Sequence, residues 1–324
     1  MQPHIVIISP ALAKANNGNG LTASRWARFL RQHYRVTLAL HWDGTPCDAM
    51  IALHARRSAP SIEAFAAACP AAPLILALTG TDLYRDIHTD RDAQRSLQLA
   101  TQLIVLQPAG LLELSPDLQR KAQVIYQSAP SLKPVSLSIK QRARYFNVVM
   151  IGHFRDEKDP LTFMRAAAHI SPARVRLTHI GGALDPLLGS HAQTTQAAHS
   201  HYRWLGHIPH AATRQRLKRS HLMVIASVME GGAHVIIEAV TSGVPVLASD
   251  VSGNRGMLGN DYAGYFPLGD CKALARLIER AAIEQTFYVH LQAQCDARAA
   301  LFTPQRERAA LMQLVDNYLR SKVK

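Results

Sequence analysis

Residues 222–250, LMVIASVMEGGAHVIIEAVTSGVPVLASD, constrain the fold more than any other part of the chain. The uninterrupted apolar run over 222–226 is short and bounded by a turn, the pattern of a buried strand. Met229-Glu230-Gly231-Gly232 reads as a tight turn, 234–241 as a helix stopped by Ser242-Gly243, and 244–248 as the next strand. This is a βαβ unit with glycines at the helix entrance, where backbone N–H groups and the helix dipole attract an anion. Two carboxylates, Glu230 before the helix and Glu238 on it, stand eight positions apart.

The same alternation runs from end to end and predicts parallel α/β sheets. In the first part, strands are expected over 4–8, 36–40, 49–53, 74–78, 102–106 and 123–126. A loop is expected over 10–20, then a helix over 22–32 with Trp26, Phe29 and Leu30 at core-facing spacing. Residues 128–144, SAPSLKPVSLSIKQRAR, carry prolines and serines without periodicity and read as a linker. Strands over 146–151, 175–180, 202–205, 222–226 and 244–248 build a second domain, and the chain is helical from 272 on, ending with a helix over 305–320. Two such doubly wound domains joined by a hinge place a ligand cleft between the carboxyl ends of two sheets.

With 324 residues, the chain has room for both domains, and 48% hydrophobic with 18% charged residues is ordinary for a soluble globular protein. No apolar stretch approaches the roughly 18–20 residues that span a bilayer, and residues 1–4 show no cleavable signal pattern, so a cytoplasmic protein is expected. Cys47, Cys69, Cys271 and Cys295 are far apart and read as reduced structural thiols. The formal charge of +13 favours anionic partners. Basic residues are scattered and aromatics are only 6%, so phosphorylated small molecules fit better than nucleic acid. A soluble enzyme that is basic without functional reason is the equally plain reading. None of the sixteen histidines has the sequence context of a metal site, and no metal cofactor is expected.

The segment GHFRDEKDP, 152–160, follows an expected strand. Its glycine lets backbone approach a ligand, and His153, Arg155 and Lys158 are three potential cations suited to a diphosphate. A surface turn with solvated charges, ahead of a helix opened by Asp159-Pro160, explains the same residues. Glu230 and Glu238 can point at one crevice, where a helical carboxylate accepts hydrogen bonds from ribose hydroxyls. Acidic residues near helix starts are also favoured by the dipole alone.

In combination these features resemble the retaining glycosyltransferases of the GT-B architecture, family 4. The shared elements are a glycine-ended strand with Lys six residues on, LGHIP at 205–209, the E-x7-E spacing and GVPVLAS at 243–249. The resemblance implies that Glu230 faces the transferred sugar, that Glu238 binds the nucleotide ribose, and that Lys158 binds the donor diphosphate. Gly152, His153, Arg155, Gly231 and Gly232 complete the donor side. The chain departs from the family with His153 in place of an arginine, and with Gly231-Gly232-Ala233-His234 where many relatives have proline and phenylalanine. The resemblance further implies an acceptor domain over 1–135, a donor domain over 145–303, and a C-terminal segment, 304–324, that packs back toward the first domain.

NNGNGLTASRWARFL at 16–30, MIALHARRSA at 50–59, LTGTDLYRDI at 78–87 and VIYQSA at 124–129 resemble the selenosugar synthases of selenoneine biosynthesis. Such enzymes join selenophosphate to the anomeric carbon of a UDP-sugar, commonly UDP-N-acetylglucosamine, giving a 1-seleno sugar and UDP. An acceptor of this kind needs positive charge and N–H donors. Gly18, Asn19, Gly20 and Thr22 at a helix start can bind an oxyanion, with Arg25 a turn further on. His54, Arg56 and Arg57 follow a strand end, although the arginines also read as a solvated loop. Thr81 and Asp82 follow another strand, and Asp82 joins Glu230 and Lys158 as a candidate catalytic residue, able to orient a sugar hydroxyl or a basic neighbour.

Three alternatives stand beside this reading: a family 4 enzyme with a hydroxyl acceptor, a basic nucleic-acid-binding protein, and a dinucleotide-dependent oxidoreductase. The last rests on Gly18-Asn19-Gly20-Leu21-Thr22-Ala23, a G-x-G-x-x-A match with Asp43 about twenty residues on. Nine residues separate its first glycine from Ser9, where the fingerprint wants it directly after the strand.

Overall fold

The structure, a computed structural model, describes residues 2–12 and 18–320. Asn16 and Asn17, part of the expected loop over 10–20, and the tail beyond residue 320 lie outside the described residues. The chain divides into two compact units: one runs up to Ser128 and resumes from Thr303, and the other is Ala129–Phe302.

The first unit is built on six parallel strands: β1 (His4–Ile8), β2 (Arg35–Ala39), β3 (Ala49–Leu53), β4 (Leu74–Leu78), β5 (Gln102–Val105) and β6 (Ala122–Val124). Their order is β2-β1-β3-β4-β5-β6, with Ile5 opposite Val36 on one side and Ala49 on the other. Alternate residues serve opposite faces, as the pleat requires. Ile5, Ile7, Ile51, Ile75 and Ala77 pack with Trp26 and Leu30 of the helix Gly18–Leu30 and with Leu311, Leu314 and Val315 of the helix Pro304–Arg320. Val6, Ile8, Met50, Leu76 and Leu78 pack on the other face with Ile62, Phe65 and Leu97.

A buried charge joins those two helices. Arg25 donates to Glu307 through Nε (2.8 Å) and Nη2 (3.1 Å), the Trp26 indole donates to Glu307 Oε1 (2.7 Å), and Ser128 Oγ donates to Oε2 (2.5 Å). Every lone pair that burial would otherwise strand is thereby occupied, the condition under which a buried ion pair is tolerated.

The second unit repeats the plan with β7 (Phe146–Ile151), β8 (Val175–Ile180), β9 (Tyr202–Trp204), β10 (Leu222–Ile225), β11 (Val246–Ser249) and β12 (Tyr265–Phe266). Their order, β12-β11-β10-β7-β8-β9, is the doubly wound dinucleotide-fold order, and every pairing is parallel. The order reverses between β7 and β10 here, and between β1 and β3 in the first unit. Such switch points open a crevice at the strands' carboxyl ends.

Two expectations are corrected. The first helix begins at Gly18, not 22, with the Thr22 hydroxyl bonded back to the Gly18 carbonyl (2.7 Å) inside it. The G-x-G-x-x-A match therefore lies within a helix instead of in a strand–helix turn. Nor is 128–144 a free linker: Arg214 holds the Pro130 carbonyl (2.9 Å), Leu132 N–H donates to Thr241 (3.2 Å), and residues Leu137–Gln141 form a short helix. Gly243, at φ +66, gives way to Pro134, whose Cβ would stand 2.8 Å from an added side chain.

Candidate functional site

In the second unit the loops after β7, β8, β9 and β10 meet at the carboxyl end of the sheet. The first two pinch together: Gly152 N–H donates to Ile180 O (2.9 Å), and a Cβ on Gly181 would lie 1.8 Å from the Gly152 carbonyl. No other residue fits at 181. Beyond Gly152, Phe154 is fully buried and Asp159, in the left-handed region (φ +41), accepts from Thr162 N–H to cap the helix Pro160–Ala166. That turn carries the Lys158 stem past Gly152, 3.8 Å from where a side chain there would begin. Its ammonium bonds Glu230 Oε1.

Glu230 is nearly buried, at 7% exposure, and a second donor, Ser227 Oγ, reaches the same oxygen at 2.6 Å. Ser249 Oγ braces the Ser227 carbonyl (2.6 Å), and Val228 N–H donates to Glu157 O (2.9 Å), tying the β10 loop to the β7 loop. Gly253 is needed beneath: its Cβ would stand 1.9 Å from the Glu230 carbonyl. Gly231 and Gly232 follow, both buried.

Glu238 lies on the seven-residue helix His234–Val240 and is 2% exposed. Its Oε1 accepts from His210 Nε2 (2.5 Å), with His234 Nδ1 at 3.6 Å. Burial works to raise its pKa, but the His210 hydrogen bond, His234 and buried Arg214 outweigh it, and the carboxyl is held below its usual range. His210 is correspondingly raised by Glu238, against the opposing effect of burial. The site thus keeps a buried, ionised carboxylate ready with a removable partner.

His153 does not act as the third cation. Gly182 N–H donates to its Nδ1 (2.9 Å), and the ring stacks on His207 with centroids 5.5 Å apart. Burial, then the charges of His207 and Arg155, lower its pKa. The ring is therefore neutral near pH 7, with the proton on Nε2. With Lys158 offset by Glu230, Arg155 is the exposed cation of the turn.

The first-unit candidates separate into two groups. Gly18 and Asn19 open the helix Gly18–Leu30 on its accessible side, whereas Gly20 is pressed on the Leu12 carbonyl, 2.6 Å from its absent Cβ. Thr22 is buried and its hydroxyl accepts from Gln127 (2.5 Å), and buried Arg25 is paired with Glu307. Asp82 is fully buried and accepts from the N–H groups of Thr79 (2.9 Å), Gly80 (2.8 Å) and Ala55 (3.0 Å), which fixes two loops. His54, at φ +74 and 2% exposed, touches Thr81 Oγ1 (3.2 Å), while Arg56 is half-exposed beside Asp86 (3.1 Å).

Ser227, His210 and Gly253 were not singled out by sequence for this site, while His207 stood there only within LGHIP and His234 only within the turn after Glu230. The signal available for His234 was its i,i+4 spacing to Glu238. Among the described residues no trio of His, Cys, Asp or Glu could hold a metal ion, and no helix is long and apolar enough to cross a membrane.

Two doubly wound parallel sheets, the second with an E-x7-E pair and a lysine at its switch point, form the GT-B architecture. Residues 138–300 match the family model "Glycosyl transferases group 1", and the chain belongs to that family. It is 28% identical to glycosyltransferase 1 domain-containing protein 1 of Xenopus tropicalis over 168 residues, 51% of this chain and 46% of the relative. It is 29% identical to the UDP-Gal:alpha-D-GlcNAc-diphosphoundecaprenol alpha-1,3-galactosyltransferase of Escherichia coli over 157 residues, 46% of this chain and 38% of the relative. The chain thus spans less than half the length of these curated relatives. The crystal structure of Anabaena HepE in complex with UDP-glucose shares the fold with TM-score 0.73 at 17% identity, over 97% of this chain and 100% of that one.

Proposed function

We propose that the protein transfers a sugar, N-acetylglucosamine by preference, from its UDP derivative to selenophosphate, forming a carbon–selenium bond and releasing UDP. The observation that carries the donor half is the Lys158–Glu230 pair beside an ionised, buried Glu238 at the switch point of the second sheet. Glu238 takes the ribose hydroxyls, exchanging His210 for them. Lys158, Arg155 and the His153 Nε2–H meet the diphosphate and offset charge as it leaves. Glu230 faces the sugar with the oxygen that Lys158 and Ser227 leave open. A uridine donor is supported by the UDP-glucose held by HepE and by the donor named for the E. coli relative.

Selenophosphate is supported by the four N-terminal motifs and by the arginines around His54. Its selenium is soft, nucleophilic and already anionic, so no strong base is required, in keeping with an Asp82 wholly engaged by backbone. The selenium electron pair bonds the anomeric carbon as the bond from that carbon to the diphosphate oxygen breaks, and the electrons leave on UDP. The phosphoryl group stays on selenium until water removes it, giving the 1-seleno sugar. Purified protein given UDP-N-acetylglucosamine and selenophosphate should release UDP, and absence of release rejects the proposal. Transfer to a hydroxyl is the second reading, favoured by the acceptor named for the E. coli relative. Faster UDP release with sugar acceptors than with selenophosphate would select it.

A further inference from the structure

Behind Glu230 a chain of buried hydrogen bonds runs from the loop after β10, through the end of β11, into the helix Ser252–Leu258. Ser227, Ser249 and Asn254 are all fully buried. Asn254 Nδ2 donates to the Ser249 carbonyl (2.9 Å) and to Ser249 Oγ (3.0 Å). Ser249 Oγ donates to the Ser227 carbonyl (2.6 Å), and Ser227 Oγ donates to Glu230 Oε1 (2.6 Å).

Chemistry fixes the direction of every bond. A carbonyl only accepts, so the Asn254 amide must turn its nitrogen toward Ser249. The Ser249 hydroxyl then keeps its own proton for the Ser227 carbonyl, which holds the backbone that carries the Ser227 hydroxyl. Asn254 Oδ1 is left buried without a partner among the described residues. Packing gives no reason for that stranded acceptor, since an apolar side chain would avoid it. What the amide contributes is its donors.

The consequence falls on one oxygen. Ser227 and Lys158 both engage Glu230 Oε1, which leaves Oε2 as the free acceptor of the carboxylate. Gly253, next to Asn254, lies against the Glu230 carbonyl, so one short helix braces both the backbone and the side chain of Glu230. Such bracing matters because a misplacement of about 1 Å in a reacting site can cost about 10²-fold in rate.

We infer that Ser227, Ser249 and Asn254 are positioning residues that hold Glu230 Oε2 toward the hydroxyls of the transferred sugar. The inference rests on the reading of Glu230 as the residue that faces that sugar.

The test is calorimetric titration of the full chain, without any acceptor, with UDP and with UDP-N-acetylglucosamine, UDP-glucose and UDP-galactose. The quantity read is the affinity for the tightest UDP-sugar relative to that for UDP, which lacks the sugar. Ser227→Ala and Asn254→Ala should each lower that ratio about fivefold or more, with UDP affinity unchanged. In a Glu230→Ala background neither should lower it further, because the group they act on is gone. Melting curves report whether each variant folds, and if Asn254→Ala does not, Ser227→Ala, which removes one hydroxyl, carries the same test. Equal loss of UDP and UDP-sugar affinity, or a further fall in the Glu230→Ala background, would mean a merely structural role and overturns the inference. A wild-type ratio in Glu230→Ala rejects the sugar-facing reading of Glu230 itself. A fall in Glu230→Ala with none in Ser227→Ala rejects the positioning chain alone.

Discussion

Lys158 and Glu230, 72 positions apart in the chain, meet through an ammonium–carboxylate bond at the switch point of the second sheet. Each comes from a loop whose shape is set by glycine: Gly152 and Gly181 for the lysine, Gly253 for the glutamate. The two charges offset one another, and under the proposed function the donor diphosphate shares the lysine with its carboxylate partner.

Lys158→Ala should therefore lower kcat/KM for UDP release by about 10²–10³-fold, the usual cost of one lost transition-state donor. Glu230→Gln, which keeps the shape and frees the lysine, should bind UDP at least as tightly as wild type while turning over more slowly. Titration with UDP alongside initial rates separates the two effects. Parallel loss of UDP affinity in both variants would remove the diphosphate role from Lys158.

The His210–Glu238 bond makes stability depend on pH. The folded-state pKa of His210 is raised above its ordinary 6.5, so its contribution is full below about pH 6.5 and is lost as pH rises through the raised value. Glu238 is depressed below its ordinary 4.5, so its contribution is present above that value and is lost as pH falls through the folded pKa. Melting temperature measured against pH should fall on the alkaline side in wild type, and His210→Ala should flatten that limb. An unchanged alkaline limb in the variant would place the titrating group elsewhere.

His153 should be a neutral donor. Nitrogen NMR of labelled histidine near pH 7 should show the Nε2–H tautomer, with the ring protonating only below its ordinary pKa of 6.5. A charged ring at pH 7 would restore it as the cation that the family places there.

Glu307→Ala should destabilise the first unit by about 3–5 kcal/mol, because Arg25 is left buried with its principal anion removed. Denaturant unfolding followed through Trp26 reports that unit. A loss below about 1 kcal/mol would mean that water reaches Arg25.

The sheets were legible because their strands are short apolar runs: His4–Ile8, Ala49–Leu53 and Leu74–Leu78 were bounded to the residue. The two-residue strand Tyr265–Phe266 offers no run to see. Glu230, Glu238 and Lys158 stood out by spacing, but the partners that set their chemistry did not. His210 reaches Glu238 across 28 positions and Glu307 reaches Arg25 across 282, distances at which no local pattern exists. Arg25 and Asp82 show the same limit, since only their burial and partners reveal that each serves the fold.

The most direct test of the central claim is mass spectrometry of products from purified protein, UDP-N-acetylglucosamine and selenophosphate, beside a panel of other UDP-sugars and thiophosphate. UDP should form stoichiometrically with a product in which selenium is bonded to the sugar. UDP release with no selenium in the sugar product, or a product formed only with hydroxyl acceptors, would contradict it.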